Sequence, residues 1–148
     1  MVHHRKVQLI RAMTVFVVTG WACAVAVLIT DSKTSVMAAL LGAPAIRSAI
    51  LGFAVGLPWV PLAAWSTSKG LVKLGQGALA GTLGGLLGVT VYFQFWPPEW
   101  NAGTMATLKV FYATYGLRVG PLTTLGGIVA AWWSAQVPVV APLGLDEG

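Results

Sequence analysis

The sequence predicts an all-α integral membrane protein with four transmembrane helices and an interfacial amphipathic helix before the last span. Three observations lead to this expectation. Of the 148 residues, 57% are hydrophobic and only 9% are charged. Soluble domains average about 25% charged residues, so this chain has too few charges to solvate a compact soluble surface, and too much apolar content for intrinsic disorder. The length accommodates one transmembrane domain of four spans, because a spanning helix takes about 20 apolar residues.

The first span is predicted over residues 9–30, an apolar run that ends at Asp31-Ser32-Lys33. A secretory signal peptide is the rival interpretation, because basic residues precede the run. The apolar part of a signal peptide has only about 7–15 residues, and this run is longer, so we expect a retained span. Cys23 is the sole cysteine and is expected to be a small core residue, without an intrachain disulfide.

Residues 35–46 form the next apolar segment, which is only about a dozen residues long and so too short to cross a bilayer. We expect this segment to lie at the interface, or to enter the bilayer and return. Pro44 is expected to break it.

The second span is predicted over residues 48–67. It contains Pro58 and Pro61, and proline in a helix removes a backbone donor and clashes with the preceding turn. A kink is therefore expected over Gly56–Pro61. Since carbonyls freed at a kink need partners inside a membrane, we expect this kink to pack against another helix.

The third span is predicted over residues 71–95 and stops at the proline pair within Trp96-Pro97-Pro98-Glu99-Trp100. Tryptophan is enriched where a helix meets the membrane–water interface. The predicted interface anchors are Trp65, Trp96 and Trp100.

Residues 103–118 show helical periodicity, which predicts the interfacial amphipathic helix. Gly120-Pro121 is expected to separate it from a fourth span over residues 121–140. Lys109 and Arg118 are candidates for contacts with lipid headgroups or a solute. The alternative is one helix over residues 104–136, about 50 Å long. That length exceeds a hydrocarbon core of about 30 Å, and Pro121 favours two segments.

The basic residues favour a cytoplasmic N-terminus, in a bacterial cytoplasmic membrane or an organelle membrane. Four spans would place five basic residues on the inner side, namely Arg5, Lys6, Arg11, Lys69 and Lys73. The outer side would hold Lys33, Arg47, Lys109 and Arg118. The first segment usually dominates orientation, and it carries three of the inner residues. The basic residues are scattered rather than forming a stripe, so no nucleic-acid partner is expected.

Glycines at intervals of four residues form the most specific motif in the sequence. Residues four apart share one helix face, so such glycines form a groove that a neighbouring backbone can approach closely. The predicted helix-packing residues are Gly77, Gly81 and Gly85, the interleaved Gly84 and Gly88, and Gly52 and Gly56 on the second span. The spacing leaves open whether the partner is in the same chain, another copy or a different protein.

No catalytic, metal-binding or cofactor-binding residues are predicted. The four carboxylates all lie at span ends or in the tail, at Asp31, Glu99, Asp146 and Glu147. Ion-coupled transport generally needs ionisable groups inside the bilayer, and metal sites need clusters of His, Cys or carboxylate. No histidine lies within a predicted span, which removes the commonest axial ligand of haem.

These features predict a non-catalytic accessory or assembly subunit that packs through a glycine zipper, in a larger membrane complex or a homo-oligomer. Its expected partners are the lipid bilayer and other membrane subunits or copies of itself. The alternative is a small-solute channel, carrier or holin-like pore without proton coupling, motivated by the kinked second span and by Lys109 and Arg118. A lipid-modifying enzyme is a third hypothesis, for which the chain offers no acid–base pair.

Overall fold

The computed structural model describes residues 2–31, 35–95, 109 and 112–136. All the regular secondary structure in these ranges is helical, without strands. A 3-10 turn over Leu57–Trp59 joins α3 to α4, and a π-helical turn over Tyr112–Gly116 precedes α6. The α-helices are α1 (Val2–Asp31), α2 (Val36–Leu41), α3 (Ala43–Gly56), α4 (Val60–Ala64), α5 (Gly70–Phe95) and α6 (Leu117–Ala135).

Three helical stretches are long and apolar enough to cross a membrane by length and composition: His4–Thr30, Val36–Ala64 and Gly70–Phe95. They overlap the first, second and third predicted spans, and they confirm the helical class and the apolar character expected from the composition. α6, which holds most of the fourth predicted span, is not among these three stretches. Residues 137–140 of that predicted span lie outside the described residues.

The second apolar stretch begins earlier than the sequence predicts, because residues 35–46 do not form a separate piece. The Ser35 hydroxyl caps α2 by accepting a hydrogen bond from the Ala38 amide at 3.3 Å. Gly42 then ends α2 and starts α3. Pro44 lies in the first turn of α3, where backbone N–H groups have no partner within the helix. The missing N–H of proline therefore costs no hydrogen bond there, and Pro44 begins a helix instead of ending one.

The predicted kink coincides with the 3-10 turn over Leu57–Trp59. Pro58 and Pro61 each lie in the first turn of the element that contains them, where a proline N–H is not needed. The indole of Trp59 packs against Gly84 of α5, so the kinked segment is in contact with another helix.

α1 and the α2–α4 stretch run antiparallel. Gly20 in the middle of α1 lies against Ser48 of α3, and the Trp65 indole N–H just after α4 donates to the Arg5 carbonyl near the start of α1, at 3.4 Å. The Trp21 indole N–H donates to the carbonyl of Leu40, at 2.9 Å, which ties α2 to α1. A short turn after α4 then leads into α5.

α6 runs antiparallel to α1 and packs between α1 and α5. Near the start of α1, the Gln8 side chain donates to the Ser134 carbonyl at 3.4 Å. At the other end of α1, the Arg118 guanidinium donates to the Thr30 hydroxyl at 3.2 Å. We call these the N-terminal end and the opposite end of the bundle. The buried core is built mainly from small residues: Ala12, Met13, Phe16, Val60, Ala63, Ala64, Ala80 and Ala130.

The expected chain break at Gly120-Pro121 is wrong, because the described chain is helical without interruption over residues 112–135. The ring of a proline within a helix crowds the carbonyl four residues earlier. Pro121 lies one turn into α6, so this carbonyl belongs to the first residue of that helix. The wider π-helical turn comes directly before this residue. The hydroxyls of Thr123 and Thr124 both donate to the Gly120 carbonyl, at 3.0 and 2.8 Å. Of the predicted interfacial helix over 103–118, residues 103–108, 110 and 111 lie outside the described residues.

Candidate functional site

The glycines of α5 place its backbone directly against α6. A Cβ atom on Gly77 would lie 2.6 Å from the Cβ of Ala131, and one on Gly81 would lie 3.0 Å from the Cα of Gly127. Both distances are shorter than the 3.4 Å at which ordinary Cβ contacts begin. The helix facing this part of the glycine row therefore belongs to the same chain.

Threonines continue the contact between α5 and α6. A Cβ on Gly85 would lie 2.8 Å from the Cβ of Thr123, so the groove accommodates a side chain at this level. The hydroxyls of Thr82 and Thr124 form a hydrogen bond of 2.8 Å between the two helices. Such bonds satisfy polar groups where lipid offers no partner.

The glycines of α3 pack in the same manner against α1. A Cβ on Gly52 would lie 2.5 Å from the Phe16 carbonyl oxygen and 3.3 Å from the Cα of Gly20. A Cβ on Gly56 would lie 2.9 Å from the Cβ of Phe16. The backbones of two helix pairs, α5 with α6 and α1 with α3, are thus in contact at glycine residues.

The four-residue spacing of glycines in the sequence did not predict three of the glycines that pack against a neighbouring helix. These are Gly20 on α1, and Gly126 and Gly127 on α6. Gly20 has no glycine four residues away on its own helix. On α6 the signal was present in a weaker form, because Gly127 and Ala131 are small residues four apart.

Gly84 and Gly88 do not contact α6. Gly84 faces the indole of Trp59, whose Cδ1 would lie 3.2 Å from an added Cβ. For Gly88, no atom of the described residues lies within 4 Å of the Cβ position. Gly88 instead lines a cavity between the helices that is partly open to the outside of the bundle.

This cavity has a volume of about 340 Å³ and is bounded by α1, α3, α5 and α6. The cavity lies between α3 and α5, which make few contacts with each other, whereas α3 packs closely on α1. Its apolar wall includes Phe16, Val27, Val55 and Val89, together with seven glycines and the thiol-bearing Cys23. The polar side chains that line it are those of Thr19, Ser48, Tyr92 and Thr123.

The α1 residues of the cavity wall run from Phe16 to Leu28, which corresponds to about 18 Å along the helix axis. Phe16 lies near the middle of the apolar stretch His4–Thr30, and Leu28 lies near the opposite end of the bundle. The cavity is therefore elongated, and it extends from the middle of the bundle to one end.

Arg47 lies in the stretch Val36–Ala64, which is apolar and long enough to cross a membrane. The sequence places Arg47 before the second span, because that span was predicted to begin at Ser48. The side chain is exposed, and the next residue, Ser48, lines the cavity. The structure thus places a cation next in sequence to a residue of the cavity wall.

The N-terminal end of the bundle is closed by polar contacts. The ammonium of Lys73, only 7% exposed, donates to the carbonyls of Ala64 and Ser66 at 3.3 and 3.4 Å. The Ser66 hydroxyl donates to the side-chain oxygen of Gln76. Gly70 begins α5 with φ +58°, a conformation that favours glycine.

The remaining predicted site residues are the tryptophans Trp65, Trp96 and Trp100 and the cations Lys109 and Arg118. Trp65 is exposed and near the N-terminal end, whereas Trp96 and Trp100 lie outside the described residues. Lys109 is exposed. Arg118 is exposed too, but its guanidinium holds α6 on α1 through Thr30. Among the described residues no group of three or more His, Cys, Asp or Glu side chains is placed to hold a metal ion.

The described residues thus form helices that pack on one another through glycines, and three of these helical stretches are long and apolar enough to cross a membrane, which is compatible with a small membrane protein. Comparison with known proteins assigns no family, because no protein-family model, curated protein or solved structure matches the chain.

Proposed function

We propose that the protein is a non-catalytic, four-span membrane protein that binds a membrane-soluble apolar ligand inside its helical bundle. The observation that carries this proposal is the cavity of about 340 Å³, whose described wall is mostly apolar and includes no charged side chain. Small-molecule sites are typically concave, mostly apolar and about 300–1,000 Å³ in volume. An engineered apolar cavity of about 150 Å³ already binds benzene, so this one has room for a longer hydrocarbon.

The placement of α6 supports a fourth crossing. The helical segment over residues 112–135 is about 36 Å long, against a hydrocarbon core of about 30 Å. It is paired with α1 at both ends, through Gln8–Ser134 and Thr30–Arg118. Its buried face consists of small residues that suit close helix contact, namely Gly126, Gly127, Ala130, Ala131 and Ser134.

A cytoplasmic N-terminus fits this arrangement. The antiparallel pairing brings the turn after α4, which carries Lys69, to the same end as Arg5 and Lys6. Arg11 is also near this end, where its guanidinium donates to the Trp133 carbonyl at 3.1 Å. Basic residues collect on the cytoplasmic side of membrane proteins.

The lining of the cavity favours a binder of apolar ligands over a channel for water-soluble solutes. Apolar cavities tend to stay dry, whereas a water-filled path needs a continuous polar lining. Among the described residues, the lining also offers no carboxylate or histidine that could act as an acid or base. A binding role without catalysis is what these side chains support.

The assembly subunit remains a second candidate, although the glycines that face α6 are in contact within the chain. A different surface favours it. An apolar groove of about 380 Å³ follows the outer seam between α1 and α6, with Val18, Leu125 and Val129 in its walls. Arg11 stacks over the Trp133 ring beside it, 5.5 Å from the ring centroid. Mass measurement of the purified protein in mild detergent tests this candidate, because a strict monomer without co-purifying protein contradicts it.

The binding proposal is tested by filling the cavity. Gly88→Leu places an apolar side chain at the cavity wall, where its Cβ has no atom of the described residues within 4 Å, so the fold should survive. Gly75→Leu is the matched control, because Gly75 lies on the same helix, is exposed, and also has no described atom within 4 Å of its Cβ position. The probe is a long-chain fatty acid with a photoreactive diazirine in its chain.

We expect the probe to label residues of the cavity wall, such as Leu51 and Val89, in the unmodified protein and in Gly75→Leu. Labelling there should be lost in Gly88→Leu. Equal labelling of the two variants would contradict the proposal.

The four-span topology is tested separately by cysteine accessibility in a Cys23→Ala background. We expect Ser68→Cys and Gln136→Cys to react from the cytoplasmic side, and Ser35→Cys from the other side. Reaction of Gln136→Cys and Ser68→Cys from opposite sides would contradict the fourth crossing.

A further inference from the structure

Two hydroxyl side chains of the helices differ from all the others. A serine or threonine in a helix commonly donates to a backbone carbonyl of its own helix, which satisfies the hydroxyl where lipid offers no partner. In helices α1–α6 this holds for Thr14, Thr30, Thr82, Thr90, Thr123, Thr124 and Ser134. Thr19 on α1 and Ser48 on α3 are the exceptions, because neither hydroxyl has a hydrogen-bond partner among the described residues.

Both exceptions line the cavity, and they do so at one level of the bundle. The Ser48 carbonyl lies against Gly20, the residue that follows Thr19, so the two hydroxyl residues meet where α1 packs on α3. Thr19 also packs on Gly126 of α6, between the cavity and the outer groove. A hydroxyl without a partner is unfavourable in a membrane-crossing helix, and the cavity is the space from which a partner can come.

The two hydroxyls lie near the inner end of the cavity. Along α1, Thr19 is about 5 Å from Phe16, where the cavity begins, and about 14 Å from Leu28, where it ends. Beyond Gly20, the α1 wall carries no hydroxyl and no charged side chain. The cavity therefore combines a polar part near the middle of the bundle with a longer apolar part toward the opposite end.

Resting on the proposed function, we infer that the ligand is an uncharged lipid whose hydrocarbon chain ends in a hydrogen-bonding oxygen, as in a long-chain alcohol. The oxygen binds between Thr19 and Ser48, and the chain extends toward the opposite end of the bundle. A ligand hydroxyl can accept a hydrogen bond from one of these side chains and donate one to the other. A few polar groups in an apolar site fix the orientation of the ligand in this way.

The charge of the ligand follows from the same wall. A carboxylate or phosphate that enters an apolar site needs a positive charge beside it, and no charged side chain belongs to the described lining. An uncharged oxygen needs only a hydrogen bond, which Thr19 and Ser48 can supply. The lining thus favours an alcohol over an anionic lipid.

The experiment is competition in mild detergent for labelling of the cavity wall by the diazirine fatty acid, with 1-dodecanol or dodecane as the competitor. The measured quantity is the ratio of their half-maximal concentrations, in which changes in the affinity of the probe cancel. Ser48→Ala and Thr19→Val should each weaken competition by dodecanol relative to dodecane roughly fivefold or more, because the bound hydroxyl loses a buried partner.

Two control variants separate the hydroxyl from the shape of the site. Thr19→Ser keeps the hydroxyl and should keep the ratio of the unmodified protein. Thr14→Val makes the same change as Thr19→Val on the same helix, but Thr14 does not line this cavity and its hydroxyl bonds to the Ile10 carbonyl. This variant should leave the ratio unchanged.

The outcomes distinguish the oxygen site from the proposed function. If Ser48→Ala or Thr19→Val leaves the ratio unchanged, or if Thr14→Val lowers it as Thr19→Val does, the oxygen site is overturned while binding of a chain stands. The same holds if neither compound competes for a wall that Gly88→Leu protects from labelling. If Gly88→Leu and Gly75→Leu are labelled equally, the cavity is not the site and the proposed function fails as well.

Discussion

The contact between α5 and α6 makes a quantitative prediction for Gly81→Ala. The new Cβ would lie 2.9 Å from the Thr123 carbonyl carbon and 3.0 Å from the Gly127 Cα, and the carbonyl oxygen is closer still. Ordinary contact begins at 3.4 Å, so the two helices must separate by at least about 0.5 Å. Overpacking of this kind costs about 1–3 kcal/mol.

Alanine also favours a helix over glycine by about 0.5–1 kcal/mol, which offsets part of that cost. Gly75→Ala gains the same helix propensity on the same helix, at an exposed position where the Cβ meets no described atom. The difference between the two variants therefore isolates the clash, and Gly75→Ala should be the more stable by about 1–3 kcal/mol.

The assay is unfolding in mixed micelles by titration with sodium dodecyl sulfate, followed by tryptophan fluorescence. Gly81→Leu should lose more stability than Gly81→Ala, whereas Leu83→Ala, which adds no bulk between the helices, should matter less. If Gly81→Ala and Gly75→Ala unfold at the same detergent fraction, α5 and α6 are not in backbone contact and the reasoning is refuted.

Three further predictions concern individual contacts. A double-mutant cycle of Thr82→Val and Thr124→Val should give a coupling of about 0.6 kcal/mol, and additivity would deny their interhelical hydrogen bond. Lys73→Met removes donors to two backbone carbonyls and should lower the free energy of unfolding by about 1.5–3 kcal/mol, whereas the exposed Lys69→Met should stay within about 0.5 kcal/mol. Gly70→Ala forces an L-residue into the left-handed region and should cost about 1–2 kcal/mol in the same unfolding assay.

Several features followed from local properties of the sequence. The helical class and the apolar stretches depend on composition and on runs of neighbouring residues, and the 3-10 turn over Leu57–Trp59 follows from two nearby prolines. That Gly77, Gly81 and Gly85 share one face is a property of any helix. None of these inferences needs to know what the helix touches.

The wrong predictions concern prolines, whose effect on a helix depends on where in the helix they lie. Pro44 and Pro121 were both expected to break the chain, yet one begins a helix and the other lies one turn into a continuous one. A proline interrupts a helix only if its position leaves a needed donor missing or a carbonyl crowded, and that depends on where the helix starts. Because residues 35–46 joined the second stretch, Arg47 came to lie within it.

The sequence by itself determined the apolar character of the long helices, the helical form of the backbone and the positions where a neighbouring helix could approach closely, because these depend on side chains a few residues apart. Only the tertiary structure decided which neighbour that is. It paired Gly77, Gly81 and Gly85 of α5 with α6 of the same chain, and it left Gly88 facing a cavity instead of a helix. The physical reason is that contacts between helices, and the spaces they leave, depend on residues far apart in the chain whose pairing no local periodicity encodes.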